Sequence, residues 1–462
     1  MEVLDRGAAC TAGGIGTQCD APEQCLRPSL TVSPAYVTAV LERLVVEGNS
    51  EEKRAHPAEL QFSFAAVSGV KPGQGNVAAK FSGAFPAGAD GRSHLTNADL
   101  TALQTRIPLF SAAEDRLLAA ECREECHGDD DGRGVQACIA ECDTGNGSFN
   151  DLIEIALAGV ERDSSGDTGW TTLVGIGTSA LGCLAIGTCA DSADDLSDGI
   201  GLGEKVASLL AAAVRDDDDQ LGTVALTLRS DLGDWGIERP DEVLSFTGGE
   251  TGALGAQIAT RRVPAPRLLR AEVILESLRL NEGYERTEAL AHPDCRGANE
   301  VSLQVQAYVG GGEQGPAPQR VPAGTDVLKV SAGDQITLDE NVLRFHADRA
   351  AVAPEAPFVF LSASVWEEDG SLQPDLLGYG AKAHFIGDMV RFPGPSAQML
   401  TSENQRMRRI VARDSFFVNG YEGSDNDCFP SQIALAGSND ERGQVEIRYR
   451  VEVDWLVVPD HR

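Results

Sequence analysis

The stretch ELQFSF at residues 59–64 places apolar side chains at alternate positions, and EVSLQV at residues 300–305 repeats this pattern. Alternation of apolar and polar residues is typical of a β-strand with one face buried and the other in solvent. An Ala-His-Pro tripeptide precedes each stretch, at residues 55–57 and 291–293. The shared strand and preceding turn indicate that one β-rich unit occurs twice in the chain.

Further blocks match in the same order in the two halves of the chain. They pair residues 40–44 with 274–278, 153–157 with 359–363, 173–177 with 376–380, and the alternating stretch 224–228 with 445–453. An ordered series of matches is the sequence signature of a duplicated structural unit. We therefore predict a tandem repeat.

The composition of the strands and turns predicts the fold class. Short apolar runs separated by turns rich in Gly, Pro and Asp favour antiparallel β-sandwiches over βαβ units. Pro264 and Pro266 favour an extended linker. The predicted organisation is a flexible cysteine-containing segment at 1–30, domain one at 31–263, a linker at 264–266 and domain two at 267–462.

Four of the 11 cysteines form two pairs with helical spacing. Cys122 and Cys126 fall on one face of a helix, as do Cys138 and Cys142. Two short antiparallel helices would bring Cys122 against Cys142 and Cys126 against Cys138. The pattern resembles the twin Cx3C helical hairpins of small intermembrane-space chaperones and other exported proteins, which implies an inserted α-hairpin over 112–145. A zinc site with four thiolate ligands is the alternative.

The other cysteines point to the compartment of the protein. Proximity in the sequence pairs Cys19 with Cys25 and Cys183 with Cys189. Cys295 and Cys428 remain, and a disulfide between them would cross-link the C-terminal half. Cys10 follows small residues and resembles the lipidated cysteine of bacterial lipoproteins, with a free thiol as the alternative. This cysteine usage predicts an oxidising environment, extracellular or in the cell envelope. The first residues lack the apolar run of a signal peptide, which counts against export.

Domain one is expected to carry a second helical element. Apolar residues recur at helical spacing between residues 203 and 215. We expect this helix to end before the aspartates at 216–219, because negative charge at a helix C-terminus opposes the helix dipole.

Charge and hydropathy exclude several classes of function. Acidic residues outnumber basic ones 71 to 38, for a net charge of -33. Such a charge disfavours nucleic acid as a partner and suits cations, although surface solvation also accounts for it. No apolar run reaches the length of about 18 residues that a transmembrane helix requires.

Acidic residues follow the matched apolar strands in both halves. They are Glu161, Asp163 and Asp167 in domain one, and Glu367, Asp369 and Asp375 in domain two. The order of strand, acidic-x-Asp, loop and further Asp resembles the late strands of a C2 domain. This resemblance implies that the six residues bind calcium, although Glu stands where that family has its first Asp. Turn formation by Asp is the alternative.

The motifs in the sequence favour a binding protein over an enzyme. The sequence contains neither a G-x-S-x-G nor an H-E-x-x-H motif. We predict a non-enzymatic binding or scaffold protein, stabilised by calcium, that engages a protein, a glycan or a membrane surface. The alternatives are a self-assembling structural subunit and a secreted hydrolase with a carboxylate site.

Overall fold

A computed structural model describes the strand-forming parts of the chain. The described residues are 35–47, 59–68, 79–85, 93–94, 106–114, 152–162, 218–229, 235, 237, 243–247, 253–280, 299–310, 317–324, 326–331, 333–347, 353–368, 375–391, 398–401, 407–419 and 444–456. These residues form β-strands almost throughout, with one short helix.

The first half of the chain contributes nine of the described strands. They are β1 (Ala35–Glu47), β2 (Glu59–Ser68), β3 (Ala79–Phe85), β4 (Ser93–His94), β5 (Ile107–Ala113), β6 (Leu152–Arg162), β7 (Asp218–Arg229), β8 (Val243–Thr247) and β9 (Ala253–Pro264).

The second half contributes the remaining described elements. They are β10 (Leu268–Leu280), β11 (Asn299–Val309), β12 (Gln319–Val321), β13 (Leu328–Val330), β14 (Gln335–His346), β15 (Phe358–Glu367), β16 (Asp375–Phe385), the helix α1 (Ile386–Arg391), β17 (Gln398–Thr401), β18 (Met407–Asn419) and β19 (Gln444–Leu456).

Each half is built from two antiparallel layers of strands. In half one, sheet 1A has the order β5-β1-β9-β8 and sheet 1B has the order β3-β2-β6-β7, with β4 beside β2. In half two, one continuous ten-stranded sheet has the order β12-β11-β15-β16-β18-β19-β10-β14, with β13 beside β11 and β17 beside β18. Its two layers are called sheet 2A (β14-β10-β19-β18) and sheet 2B (β12-β11-β15-β16). Sheets 2A and 2B join at a single pair, Tyr379 of β16 with Asn419 of β18. The prediction of two repeated antiparallel β-sandwiches is confirmed.

The topology also corrects two of the matches between the halves. Residues 376–380 lie in β16, whose counterpart is β7, so their match with residues 173–177, which lie outside the described residues, is wrong. Strand by strand, β1 to β9 correspond to the half-two strands in the same order, with β17 and α1 as additions. The match of residues 224–228 with 445–453 is wrong. The first stretch lies in β7, which pairs with β6, whereas the second lies in β19, which pairs with β10. The counterpart of β7 is β16, and the counterpart of β19 is β9.

Alternation along the strands builds the core of half two. On β10, Val273 and Leu275 are buried while Glu272 and Glu276 are partly exposed. The inward side chains of β10, β11, β15, β18 and β19 form one hydrophobic cluster. Burial of this apolar surface, at about 25 cal/mol per Å², holds sheets 2A and 2B together.

Sheet 1A lies between sheet 1B and sheet 2B. All seven residues of β5 are buried, and so are residues 36–41 of β1, which means that the sheet is covered on both faces. One hydrophobic cluster joins the three sheets, with Val40 from sheet 1A, Phe62 from sheet 1B and Phe360 from sheet 2B. The described strands therefore stack in the order 1B, 1A, 2B, 2A.

Polar contacts surround this junction between the halves. The Tyr36 hydroxyl donates a hydrogen bond of 3.3 Å to Glu355. The Arg261 guanidinium lies 5.6 Å from the centre of the Phe385 ring, a distance suited to a cation–π interaction. The same guanidinium pairs with Glu42 at 2.6 Å. Polar groups at the rim of an apolar contact fix the orientation of the two halves.

The structure describes only part of the predicted insertion, helix and linker segments. Strand β5 extends to Ala113, into the predicted insertion at 112–145, and the rest of that insertion beyond Glu114 lies outside the described residues. The predicted helix at 203–215 also lies outside them. In the predicted linker 264–266, Ala265 is buried and the Pro266 carbonyl accepts a hydrogen bond from the Ala356 N–H.

Candidate functional site

Two acidic residues are paired across β15 and β16 at one end of sheet 2B. The antiparallel register places Glu367, the last residue of β15, opposite Asp375, the first residue of β16. On its other side, Glu367 is paired with Val301 of β11. Two of the three residues predicted to bind calcium in half two are therefore neighbours in the sheet.

Sheet 1B has the same arrangement. Glu161 of β6 is paired with Asp219 of β7 on one side and with Leu60 of β2 on the other. Leu60 and Val301 are the second residues of β2 and of its counterpart β11 in the matched blocks ELQFSF and EVSLQV. The two acidic pairs therefore hold equivalent positions in the two halves.

The sequence prediction missed Asp219. It selected Asp167 as the further aspartate of half one because the C2-like order of strand, acidic-x-Asp, loop and further Asp was followed along the chain. The structure instead places Asp219 at the position that Asp375 has in half two. The run of aspartates at 216–219 was the available signal, but it was interpreted only as a helix boundary. Asp163, Asp167 and Asp369 lie outside the described residues.

Two acidic residues at directly opposed register positions are candidate ligands for a cation. Like charges directly opposite each other in an antiparallel sheet are destabilising, and a bound cation removes that repulsion. Two carboxylates supply at most about four oxygens, whereas calcium takes about six to eight. Within the described ranges, no group of three or more His, Cys, Asp or Glu residues comes together as a metal site. Calcium would therefore need further ligands from the adjoining loops or from water.

A second polar surface covers the outer face of sheet 2A, which we call the arginine face. The strands β14, β10, β19 and β18 bring seven arginines and six carboxylates onto it. They are Arg270, Arg279, Arg344, Arg409, Arg413, Arg448 and Arg450, with Glu272, Glu276, Asp339, Glu446, Glu452 and Asp454. Alternation along the strands produces this face, because the intervening side chains point into the core.

Ion pairs order most of the arginine face. Arg409 makes a bidentate pair with Asp454, with N–O distances of 2.6 and 2.7 Å, and the Asp454 side chain is only 5% exposed. The hydrogen bond to Asp454 raises the pKa of Arg409, while burial opposes this effect. Glu276 accepts from Arg413 at 3.0 Å and from Arg450 at 3.3 Å. These contacts hold the guanidinium groups in fixed positions across three strands.

A buried polar pair lies inside the sandwich of half two. His384 Nε2 of β16 is 2.8 Å from the Tyr449 hydroxyl of β19, so the contact connects sheets 2B and 2A. Beside it, Lys382 of β16 forms an ion pair with Asp414 of β18. Burial lowers the pKa of His384 from 6.5 to about 4. The imidazole is therefore neutral in the folded protein near pH 7, and no sequence pattern had pointed to this pair.

The predicted cysteine sites lie outside the described residues. This holds for Cys10, Cys19, Cys25, Cys122, Cys126, Cys138, Cys142, Cys183, Cys189, Cys295 and Cys428. Across the described part of the chain, no helix combines the length and the apolar character that crossing a membrane requires.

Comparison with known proteins gives structural likenesses only. No protein-family model matches the chain, and no curated protein matches it. Among solved structures, a C2 domain of plant Extended Synaptotagmin 1 matches with 11% identity, over 40% of this chain and 93% of that chain, at a TM-score of 0.19. A pair of C2 domains of Extended Synaptotagmin 2 matches with 10% identity, over 92% of this chain and 93% of that chain, at a TM-score of 0.20.

A third likeness is to an enzyme of greater length. Human GIVD cytosolic phospholipase A2 matches with 7% identity and a TM-score of 0.19. The match covers 91% of this chain but 32% of the phospholipase, so this chain spans about a third of that protein. The solved structures to which this chain is similar thus include C2 domains. At these TM-scores the likenesses carry no argument about its function.

Proposed function

We propose that this chain is a non-enzymatic binding protein in which each sandwich binds a calcium ion beside its opposed acidic pair. One observation carries the proposal: Glu161 with Asp219 and Glu367 with Asp375 occupy equivalent register positions in the two halves. Turn chemistry explains aspartates in loops. It does not require two acidic residues to oppose each other at the same place in both repeats.

The ion would act as a structural bridge between neighbouring strands. Calcium bound by carboxylates neutralises their repulsion and orders the loops that supply its other ligands. Asp163 and Asp369, two residues beyond Glu161 and Glu367 in the sequence, are the first candidates for those ligands. The loops ordered in this way would contact a partner of the protein, glycan or membrane-surface class, and the chemistry belongs to binding rather than to catalysis.

Calcium titration of the full chain tests this proposal. We expect about two ions per chain by isothermal titration calorimetry, and a higher thermal midpoint in calcium than in chelator, because a ligand that binds only the folded state stabilises it. The double variant Glu367→Gln, Asp375→Asn should bind about one ion. The matched control Glu340→Gln, Asp326→Asn removes two exposed carboxylates elsewhere in half two and should retain both ions. Equal thermal midpoints in calcium and in chelator would refute the calcium sites.

We place the protein outside the cell or in the cell envelope. The support is the cysteine spacing, since paired cysteines at this density are typical of oxidising compartments. Mass measurement of the alkylated protein with and without prior reduction counts the disulfides. We expect cysteines to become alkylated only after reduction. Free thiols throughout would contradict the proposed compartment without affecting the calcium test.

A further inference from the structure

The two faces of strand β16 belong to two different contacts. Ala381, Ala383 and Phe385 lie in the hydrophobic cluster that half two shares with half one. The alternate residues Lys382 and His384 point to the opposite side, where they contact residues of sheet 2A. This strand therefore connects the interior of half two with the contact between the halves.

Polar contacts hold β16 against half one. The Arg106 N–H, just before β5, donates a hydrogen bond of 3.3 Å to the Ala381 carbonyl. At the end of the strand, the Arg261 guanidinium of β9 lies 5.6 Å from the centre of the Phe385 ring. Both contacts require β16 to keep its position, because hydrogen bonds and cation–π interactions act only over short distances.

On the side of sheet 2A, side chains hold β16 in place over most of its second half. The backbone of β16 pairs with β18 at one position, Tyr379. Over residues 380–385, the described strands give β16 a backbone partner on one side only, which is β15. The polar contacts across this seam are the ion pair of Lys382 with Asp414 and the hydrogen bond of 2.8 Å between His384 Nε2 and the Tyr449 hydroxyl.

The buried imidazole makes this seam sensitive to pH. Four charged or titratable groups face His384: Lys382 on its own strand, Asp414 on β18, Tyr449 on β19 and Arg106 before β5. Burial lowers the pKa of the imidazole most strongly, Asp414 partly opposes that shift, and Lys382 and Arg106 add to it. The protonated imidazole is therefore disfavoured beside Tyr449, and it is stabilised when β16 moves far enough to let water reach the ring.

We propose that His384 is a pH-sensitive switch on the contact between the halves: when its imidazole takes up a proton, residues 380–385 move away from sheet 2A and the contact with half one loosens. One strand carries both contacts, so a displacement that hydrates His384 also moves Ala381 and Phe385 against sheet 1A. The remaining core of each half is built from other strands and stays packed. The switch does not depend on the proposed calcium sites.

Thiol labelling of the full chain in chelator tests the proposal. Three buried positions carry the probe: Val40→Cys at the contact between the halves, Ala39→Cys on the opposite face of the same strand, and Ala271→Cys in the core of half two on β10. The rate at each thiol, read from its peptide by mass spectrometry, is divided by the rate in urea at the same pH. From about pH 7.5 to about pH 5, the normalised rate at Val40→Cys should rise about 30-fold, because a hydrated imidazole titrates near 6.5 and the buried one near 4. The other two rates should change less than about threefold.

The His384→Gln background separates the switch from other titrating groups, because glutamine does not take up a proton at these pH values. In this background the rise at Val40→Cys should be absent. Hydrogen exchange of the Arg106 amide is a second measurement without any substitution, and its protection factor should fall by a similar ratio. Equal rises at Val40→Cys and at Ala39→Cys or Ala271→Cys would overturn the proposal, because a whole half would then unfold. No rise at Val40→Cys, or a rise that persists in His384→Gln, would overturn it as well.

Discussion

The buried imidazole of His384 makes a sharp prediction about acid stability. His384 packs edge to face against Tyr449, with ring centres 5.5 Å apart, and its Nε2 atom contacts the Tyr449 hydroxyl. This contact spans the sandwich of half two. Charging the imidazole therefore disturbs the connection between sheets 2A and 2B, and we expect the stability of half two to depend on the protonation of this single group.

The direction of the pH dependence of stability follows from the pKa of His384. Burial lowers the pKa of His384 from 6.5 to about 4, Asp414 partly opposes the shift, and Lys382 and Arg106 add to it. The unfolded chain thus takes up the proton at higher pH than the folded chain does. The stabilisation is fully present above about pH 6.5 and is lost as the pH falls towards 4.

The size of the stability loss follows from the difference between the pKa values of His384 in the folded and unfolded chain. Once both states are protonated, the lost stabilisation is about 3 kcal/mol, and at pH 5 it is about 2 kcal/mol. Other groups titrate in this range, so the native protein alone does not isolate His384. The comparison with His384→Gln does isolate it, because glutamine keeps a polar nitrogen near the Tyr449 hydroxyl and does not take up a proton at these pH values.

Urea unfolding at about pH 7 and about pH 5 is the assay, followed by tryptophan fluorescence because Trp366 and Trp455 are buried in half two. Between the two pH values, the native protein should lose about 2 kcal/mol more than His384→Gln. His346→Gln, which removes an exposed imidazole from β14, controls for the loss of one histidine. If the native protein and His384→Gln lose the same stability between the two pH values, the reasoning is refuted.

Two further substitutions test packing and ion pairing in half two. Gly310→Ala would place a methyl group 2.5–2.7 Å from atoms of the Phe358 ring, and we expect a loss of about 1–3 kcal/mol by urea unfolding that is partly relieved by Phe358→Leu. Independent, additive effects of the two changes would contradict the steric cause. Asp454→Asn leaves Arg409 without its bidentate partner, and we expect a loss of about 1–3 kcal/mol that shrinks when Arg409 is replaced as well. An unchanged loss in that double variant would rule out the pair as its source.

Alternation along the chain was sufficient to predict strands and their order, but not their partners. The stretches ELQFSF and EVSLQV were placed correctly as counterparts, because each follows the same Ala-His-Pro tripeptide in the sequence. The stretch 224–228 was matched to 445–453 because both alternate. Alternation reports only that one face is buried. Which strand lies alongside is decided by packing across the sandwich, and a period of two contains no information about it.

The acidic pairs show, for single residues, that the sequence does not predict which positions lie opposite each other. Glu161 and Glu367 were found because each follows a matched apolar run. Asp375 was found because it lies a few residues beyond Glu367, but Asp219 was missed because a long stretch of chain separates it from Glu161. Register between antiparallel strands is set by hydrogen bonding and by the buried face, so the partner of a residue need not be near it in sequence.

The arginine face was predictable in part from the sequence. In VEIRYRVEVD, residues 445–454, the apolar positions were used to predict a strand, while the polar positions alternate between carboxylate and guanidinium. Those polar residues form the centre of the face, since β19 lies between β10 and β18. When both sets of alternate residues in a strand follow a pattern, the sequence determines the chemistry of both faces of that strand. The apolar set of β19 holds the sandwich together, and its charged set leaves half two, rather than half one, with the accessible ordered surface among the described strands.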